Sequence, residues 1–176
     1  GIRYLRAHSE RFRIDPEHFG VMGESAGGYL TAMAALANDP AFDVGDYTDY
    51  SSRVQAACPW YPPTDISGFP YNSPVEAAAS PESLMLGMNV MLQKEEALKA
   101  CPVSFVTKDA PPFMILHGID DHTVPFGQGE VLHDKLEEAG CDVRLIAIAG
   151  ADHADKQFFQ RETWKWIADF FHEKLG

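Results

Sequence analysis

An α/β fold, with a parallel sheet covered by helices on both faces, is predicted by three features of the 176-residue sequence. Four short apolar runs, at residues 19–22, 54–58, 113–116 and 143–149, have the length of buried strands. Segments with helical spacing of apolar residues lie between and after them. The composition is 45% hydrophobic and 23% charged, enough for one real core, so residues 1–176 read as a single domain.

Residues 2–13 bring Ile2, Leu5 and Phe12 near one face, which predicts a helix stopped by Asp15-Pro16. The run 19–22, with Gly20 inside and Gly23 behind, predicts the first strand. The Ala-rich residues 25–37 predict a helix that stops at Asn38-Asp39-Pro40. Residues 41–53 are acidic and polar, as a solvated loop would be. Asp43, Asp46 and Asp49 in that loop lack the Asp-x-Asp-x-Asp-Gly order that calcium loops use. The second strand is expected to break at Pro59. Residues 62–81 are too dense in Pro, Gly, Ser and Asn to be regular throughout, and 82–100 predict a helix. Pro111-Pro112 introduces the third strand. Residues 129–139 form a helix stopped by Gly140, and 143–149 are the fourth strand. In the last helix, 156–175, Phe159, Trp166, Ile167, Phe170 and Phe171 make one broad stripe, with Trp164 and Trp166 expected in the core.

The charge excludes several function classes. Fourteen basic against 26 acidic side chains leave −12, which argues against nucleic acid and against anionic membrane surfaces as partners. No apolar stretch approaches the roughly 20 residues needed to cross a bilayer. No secretory leader opens the sequence. Cys58, Cys101 and Cys141 are odd in number and contain no C-x-x-C pair, so buried free thiols are expected rather than disulfides or a zinc site.

Chemistry concentrates in Gly23-Glu24-Ser25-Ala26-Gly27, a G-x-S-x-G motif that forms an elbow between a strand and a helix. A strand that turns sharply into a helix holds its serine in a strained conformation, so the residues two positions away must lack bulk. The Ser25 hydroxyl then stands clear, and the Ala26 amide at the helix start faces a developing oxyanion. A serine hydroxyl is a weak nucleophile until a base takes its proton. Of the seven histidines, His117, His122 and His153 follow strands and so share the rim of a parallel sheet with the elbow. His153, in the small-residue loop 149–154, has the most room to reach across. Asp120 and Asp121, after the third strand, are the carboxylates available to fix the tautomer of the base. Glu24, Trp60 and Tyr61 lie at strand ends on the same rim and are candidates for contact with substrate, with packing beneath the Pro-rich loop the equal alternative for Trp60 and Tyr61. No metal and no organic cofactor is required by this set.

The segments 14–28, Trp60-Tyr61-Pro62-Pro63-Thr64-Asp65, 111–125 and 150–153 resemble α/β-hydrolase esterases of the acetyl-xylan and feruloyl-esterase-like branch, near the prolyl-oligopeptidase-like hydrolases. The resemblance implies a nucleophile at Ser25 and a base at His153. In its His-Gly-x-x-Asp-x-x-Val-Pro pattern, the acid falls on Asp121. It also implies an α/β-hydrolase fold lacking its N-terminal strands, together with the His-Gly-Gly type loop that donates a second oxyanion amide. The implied partner is a small-molecule or oligosaccharide ester. A homo-oligomer, or an N-terminal segment outside the sequence, is expected to cover the edge of strand 19–22. The family's usual Asp before the tryptophan is replaced by Pro59.

Overall fold

In the computed structural model, which describes residues 1–176, four strands pair in parallel in the order of the chain. They are β1 (Gly20–Glu24), β2 (Ala56–Trp60), β3 (Phe113–Gly118) and β4 (Val143–Ile148). Each crossover carries helix, as parallel pairing requires. Three short or medium helices, α1 (Ile2–Ala7), α2 (Ser9–Phe12) and α3 (Ala26–Leu36), flank β1. The long β2–β3 crossover holds α4 (Pro74–Ala78), α5 (Pro81–Leu86) and α6 (Lys94–Leu98). Helix α7 (Gly127–Glu138) joins β3 to β4, and α8 (Arg161–Leu175) ends the chain. No helix is long and apolar enough to cross a membrane.

The central strands are buried at every position, whereas β1 and β4 have no fully buried residue, because only the central pair has strands on both sides. Alternate residues divide the core in two. Ala57, Phe113 and Ile115 face Ala32, Ala35 and Leu36 of α3 and Leu132 and Leu136 of α7. Ala56, Cys58, Trp60, Met114 and Leu116 face Phe158 and, from α8, Ile167 and Phe170. This is the period of two expected for a sheet covered on both faces.

Several boundaries differ from the sequence expectation. β2 runs through Pro59 instead of breaking there. Ala57 and Tyr61 donate their N–H groups to Pro112 and Leu116 carbonyls across the β2–β3 seam. Pro59 occupies the donor position between them and has no N–H, so β2 and β3 register only at Ala57↔Phe113 and Trp60↔Leu116. The strand survives because β1 pairs along its other edge without a gap, Gly23 opposite Pro59.

The helix expected over 2–13 breaks at His8, whose ring bonds the Tyr4 carbonyl, and Leu5 and Phe12 stay largely exposed. The helix expected over 82–100 is two helices. Gly87 ends α5 in the left-handed region (φ 66°), and the Asn89 carboxamide accepts from the Met91 and Leu92 N–H groups before α6 begins. In α8 the buried stripe is Thr163, Ile167 and Phe170. Trp164 and Trp166 fall off that i, i+4, i+7 line and are 45% and 44% exposed, so they are not core residues; Phe159, 51% exposed, is not one either. Cys58 and Cys101 are buried thiols, and Cys141 is only half-buried.

Candidate active site

The carboxyl ends of β1, β3 and β4 open on one rim, and three side chains meet there. Ser25 stands between β1 and α3 at φ 53°, ψ −117°, a strained conformation for a residue with a side chain. Its N–H is held by the Trp60 carbonyl at 3.0 Å. A Cβ on Gly23 would lie 2.6 Å from the Gly27 carbonyl oxygen, so the turn excludes one. Gly27 itself has open space around its Cα, contrary to the steric expectation. The second glycine the elbow needs is Gly28, where a Cβ would lie 2.6 Å from the Trp60 carbonyl oxygen as α3 packs on β2.

His153 lies in the loop after β4. Its Nε2 is 2.9 Å from Ser25 Oγ, and its Nδ1 is 2.8 Å from Asp121 Oδ2. Ala154 behind it has φ 54°, so strained backbone occurs beside His153 as well as at Ser25. Asp121 has a fully buried side chain and accepts from the Thr123 and Val124 N–H groups at 2.9 and 2.7 Å. Burial alone would push its carboxyl up. The His117 ring close by and hydrogen bonds from His153, Val124 and Thr123 outweigh that and hold it at about 2. The Asp121 carboxylate is therefore ionised at neutral pH.

The other rim candidates have different surroundings. Asp120 is exposed, its N–H held by the Ala151 carbonyl. His117 is buried behind Asp121, with Nε2 donating to the Val124 carbonyl at 2.9 Å and lying 3.6 Å from Asp121 Oδ2. His122 is exposed and pairs with Asp152 at 3.2 Å. Asp152 was not anticipated. Its carboxylate also accepts from the His122 and His153 N–H groups, at 3.0 and 2.6 Å, and so clips the loop after β3 to the loop after β4. The sequence signal for it is its place directly before His153.

Where the two loops pack, Gly118 is essential. A Cβ there would lie 2.3 Å from the Ala151 carbonyl oxygen, a backbone atom that cannot swing aside. Gly118→Ala is expected to destabilise the fold by about 1–3 kcal/mol, read as a lower urea midpoint at unchanged slope.

Trp60 and Glu24 line a cleft of about 290 Å³ beside the elbow, with Met22, Gly23, Phe159 and Trp164. Trp60 is nearly buried and stacks on Phe158. Tyr61 has no exposed surface, so the structure puts it beneath the His153 ring rather than in the cleft. One group of metal-capable side chains, His133, Asp134 and Glu137, gathers on α7 and shares no residue with the rim.

The BD-FAE family model matches residues 1–136. The chain belongs to that family. The probable carboxylic ester hydrolase LipM of Mycobacterium tuberculosis is 33% identical over 144 residues, 78% of this chain and 32% of LipM. Among solved structures, a truncated carbohydrate esterase from gut microbiota superposes with a TM-score of 0.85 at 29% identity, over 98% of this chain and 65% of that one. A bifunctional GH43-CE protein of Bacteroides eggerthii gives 0.87 at 26% identity, over 99% of this chain and 26% of that one. The chain thus spans about a third of the curated relative's length. Its four parallel strands and helices are those of the α/β-hydrolase fold.

Proposed function

We propose that this BD-FAE chain hydrolyses carboxylic esters through Ser25, His153 and Asp121 by way of an acyl-enzyme. The observation that carries the reading is the pair of contacts at His153, 2.9 Å to Ser25 and 2.8 Å to Asp121, between residues 128 and 32 positions apart in the chain. Ser25 Oγ attacks the ester carbonyl carbon while His153 Nε2 takes its proton. The oxyanion forms against the Ala26 N–H. Collapse breaks the bond to the alcohol, which leaves with the proton returned from Nε2. Water, deprotonated by the same nitrogen, then cleaves the acyl-Ser25 ester and releases the acid. Asp121 keeps the Nδ1 proton in place and balances the imidazolium charge.

The substrate class proposed is acetyl or feruloyl esters of plant polysaccharide, with the alcohol or acyl group received in the cleft at Trp60. The carbohydrate-esterase neighbour supports the sugar, and the net charge of −12 suits a neutral ligand better than an anionic one. The same reading puts a further polypeptide segment, or a second copy, against the open edge of β1, beside the exposed Met22 and Leu30.

The test compares p-nitrophenyl acetate, methyl ferulate and a proline p-nitroanilide. Release from one or both esters and none from the anilide is the expected result. Hydrolysis of the anilide alone would assign a peptidase of the prolyl-oligopeptidase type. A serine that neither turns over nor reacts with a fluorophosphonate would mark a binding module that has only the shape of a hydrolase.

A further inference from the structure

The geometry points to Tyr61, anchored by Glu24, as a positioning residue that holds the base His153 in register with the serine. The inference rests on the ester-hydrolase reading and deepens it.

Hydrogen bonds at Nδ1 and Nε2 grip the imidazole at opposite ends. They leave it free to rock about the line that joins them. A base that rocks after taking the serine proton presents Nε2 poorly to the leaving alkoxide. The tyrosine ring removes that freedom. It meets the His153 ring at a centroid distance of 4.5 Å and an interplanar angle of 62°. Phe158 supports the tyrosine in turn at 4.6 Å, and Tyr61 has no exposed surface.

Two further contacts fix the tyrosine itself. Its N–H donates to the Leu116 carbonyl of β3, 2.6 Å away. Its phenol donates to Glu24 Oε2 at 2.5 Å. Glu24 directly precedes Ser25, so a single side chain reaches from the nucleophile's neighbour to the face of the base. Tyr61 also has φ 34°, in the left-handed region that side chains avoid, and that conformation persists only where the surroundings impose it. Burial, and then the Glu24 carboxylate, push the phenol up, so it stays a donor across the working range.

If Glu24 acts through Tyr61, losing either should do the same damage, and losing both should do no more. The experiment measures kcat and KM for p-nitrophenyl acetate in Tyr61→Phe, Glu24→Ala and the double variant, with Glu24→Gln as the conservative rescue. Tyr61→Phe and Glu24→Ala should each lower kcat about 10- to 100-fold with KM within about twofold. The double variant should match the worse single, and Glu24→Gln, which still accepts the phenol proton, should recover most of the rate. Multiplying effects, unchanged kcat, or a raised KM at constant kcat would overturn the proposal, the last by making these residues substrate contacts.

A second readout does not need turnover. The low-field proton NMR signal of His153 Nδ1–H, assigned by its loss in His153→Gln, should broaden in Tyr61→Phe and Glu24→Ala while thermal melts stay close to wild type. A signal equally sharp in both variants refutes the positioning role. Absence of ester turnover in the wild-type chain would instead count against the hydrolase reading.

Discussion

Ser25→Ala is expected to lower kcat for p-nitrophenyl acetate by about 10⁴- to 10⁶-fold, with KM nearly unchanged. Only Ser25 has a hydroxyl in bonding distance of His153 Nε2, at 2.9 Å, so no neighbour can take over the attack. The folded state should hardly notice. The Ser25 side chain makes no cap bond to α3, and the strained φ of 53° belongs to the turn that Gly23 and Gly28 allow. His153→Ala should cost about as much as Ser25→Ala. The double variant should be no slower than the worse single, because neither group works without the other. Steady-state hydrolysis measures the loss, and fluorophosphonate labelling locates it. Activity within tenfold of wild type in Ser25→Ala would remove Ser25 as nucleophile and leave the site without a mechanism.

Much of this arrangement was legible in the sequence, for reasons that particular residues make clear. The four strands stood out because buried parallel strands are short apolar runs with turn residues beside them, as in 113–116. Ser25 was marked by local sterics, which are written in adjacent residues. Even there the local rule assigned bulk exclusion to Gly27, whereas the contact that matters is between Gly28 and the Trp60 carbonyl, 32 positions away. Long-range contacts of this kind explain the other differences. β2 continues through Pro59 because β1 secures its other edge, and a window of residues cannot register that. Trp166 belongs to the apolar stripe by composition but lies one position, about 100° of helix, from the buried Ile167. The resemblance singled out Asp121 over Asp120, and the two are separated physically by what surrounds them. Asp121 gains His117, Thr123 and Val124 as partners, whereas Asp120 faces solvent. The substrate-contact expectation for Tyr61 came from its place at a strand end. Its burial under His153 depends on Phe158, nearly a hundred residues later.

Asp121→Asn separates the catalytic from the structural work of one carboxylate. The rate should fall about 10⁴-fold, because the variant amide can turn its NH₂ toward Nδ1 of His153. That would favour the tautomer carrying its proton on Nε2, which cannot accept another from Ser25. Stability should fall as well, and the sign of its pH dependence is set by the direction of the shift. The Asp121 carboxyl is held at about 2 in the fold, below its ordinary value near 3.9 in an unfolded chain. A depressed carboxyl contributes stability that is fully present above about pH 4 and is lost as pH falls toward 2, with a total of ~2 kcal/mol. The asparagine variant has no such group to titrate. At pH 7 it should therefore unfold at a lower urea concentration than wild type, and the gap between the two should close between pH 4 and pH 2. Parallel acid profiles for both proteins would mean that the hydrogen bonds from His153 and the 123–124 backbone, with the His117 ring close by, do not favour the ionised acid. In that case the low-lying carboxylate, and with it the fixed tautomer on which the proton transfer at Ser25 depends, would have to be abandoned.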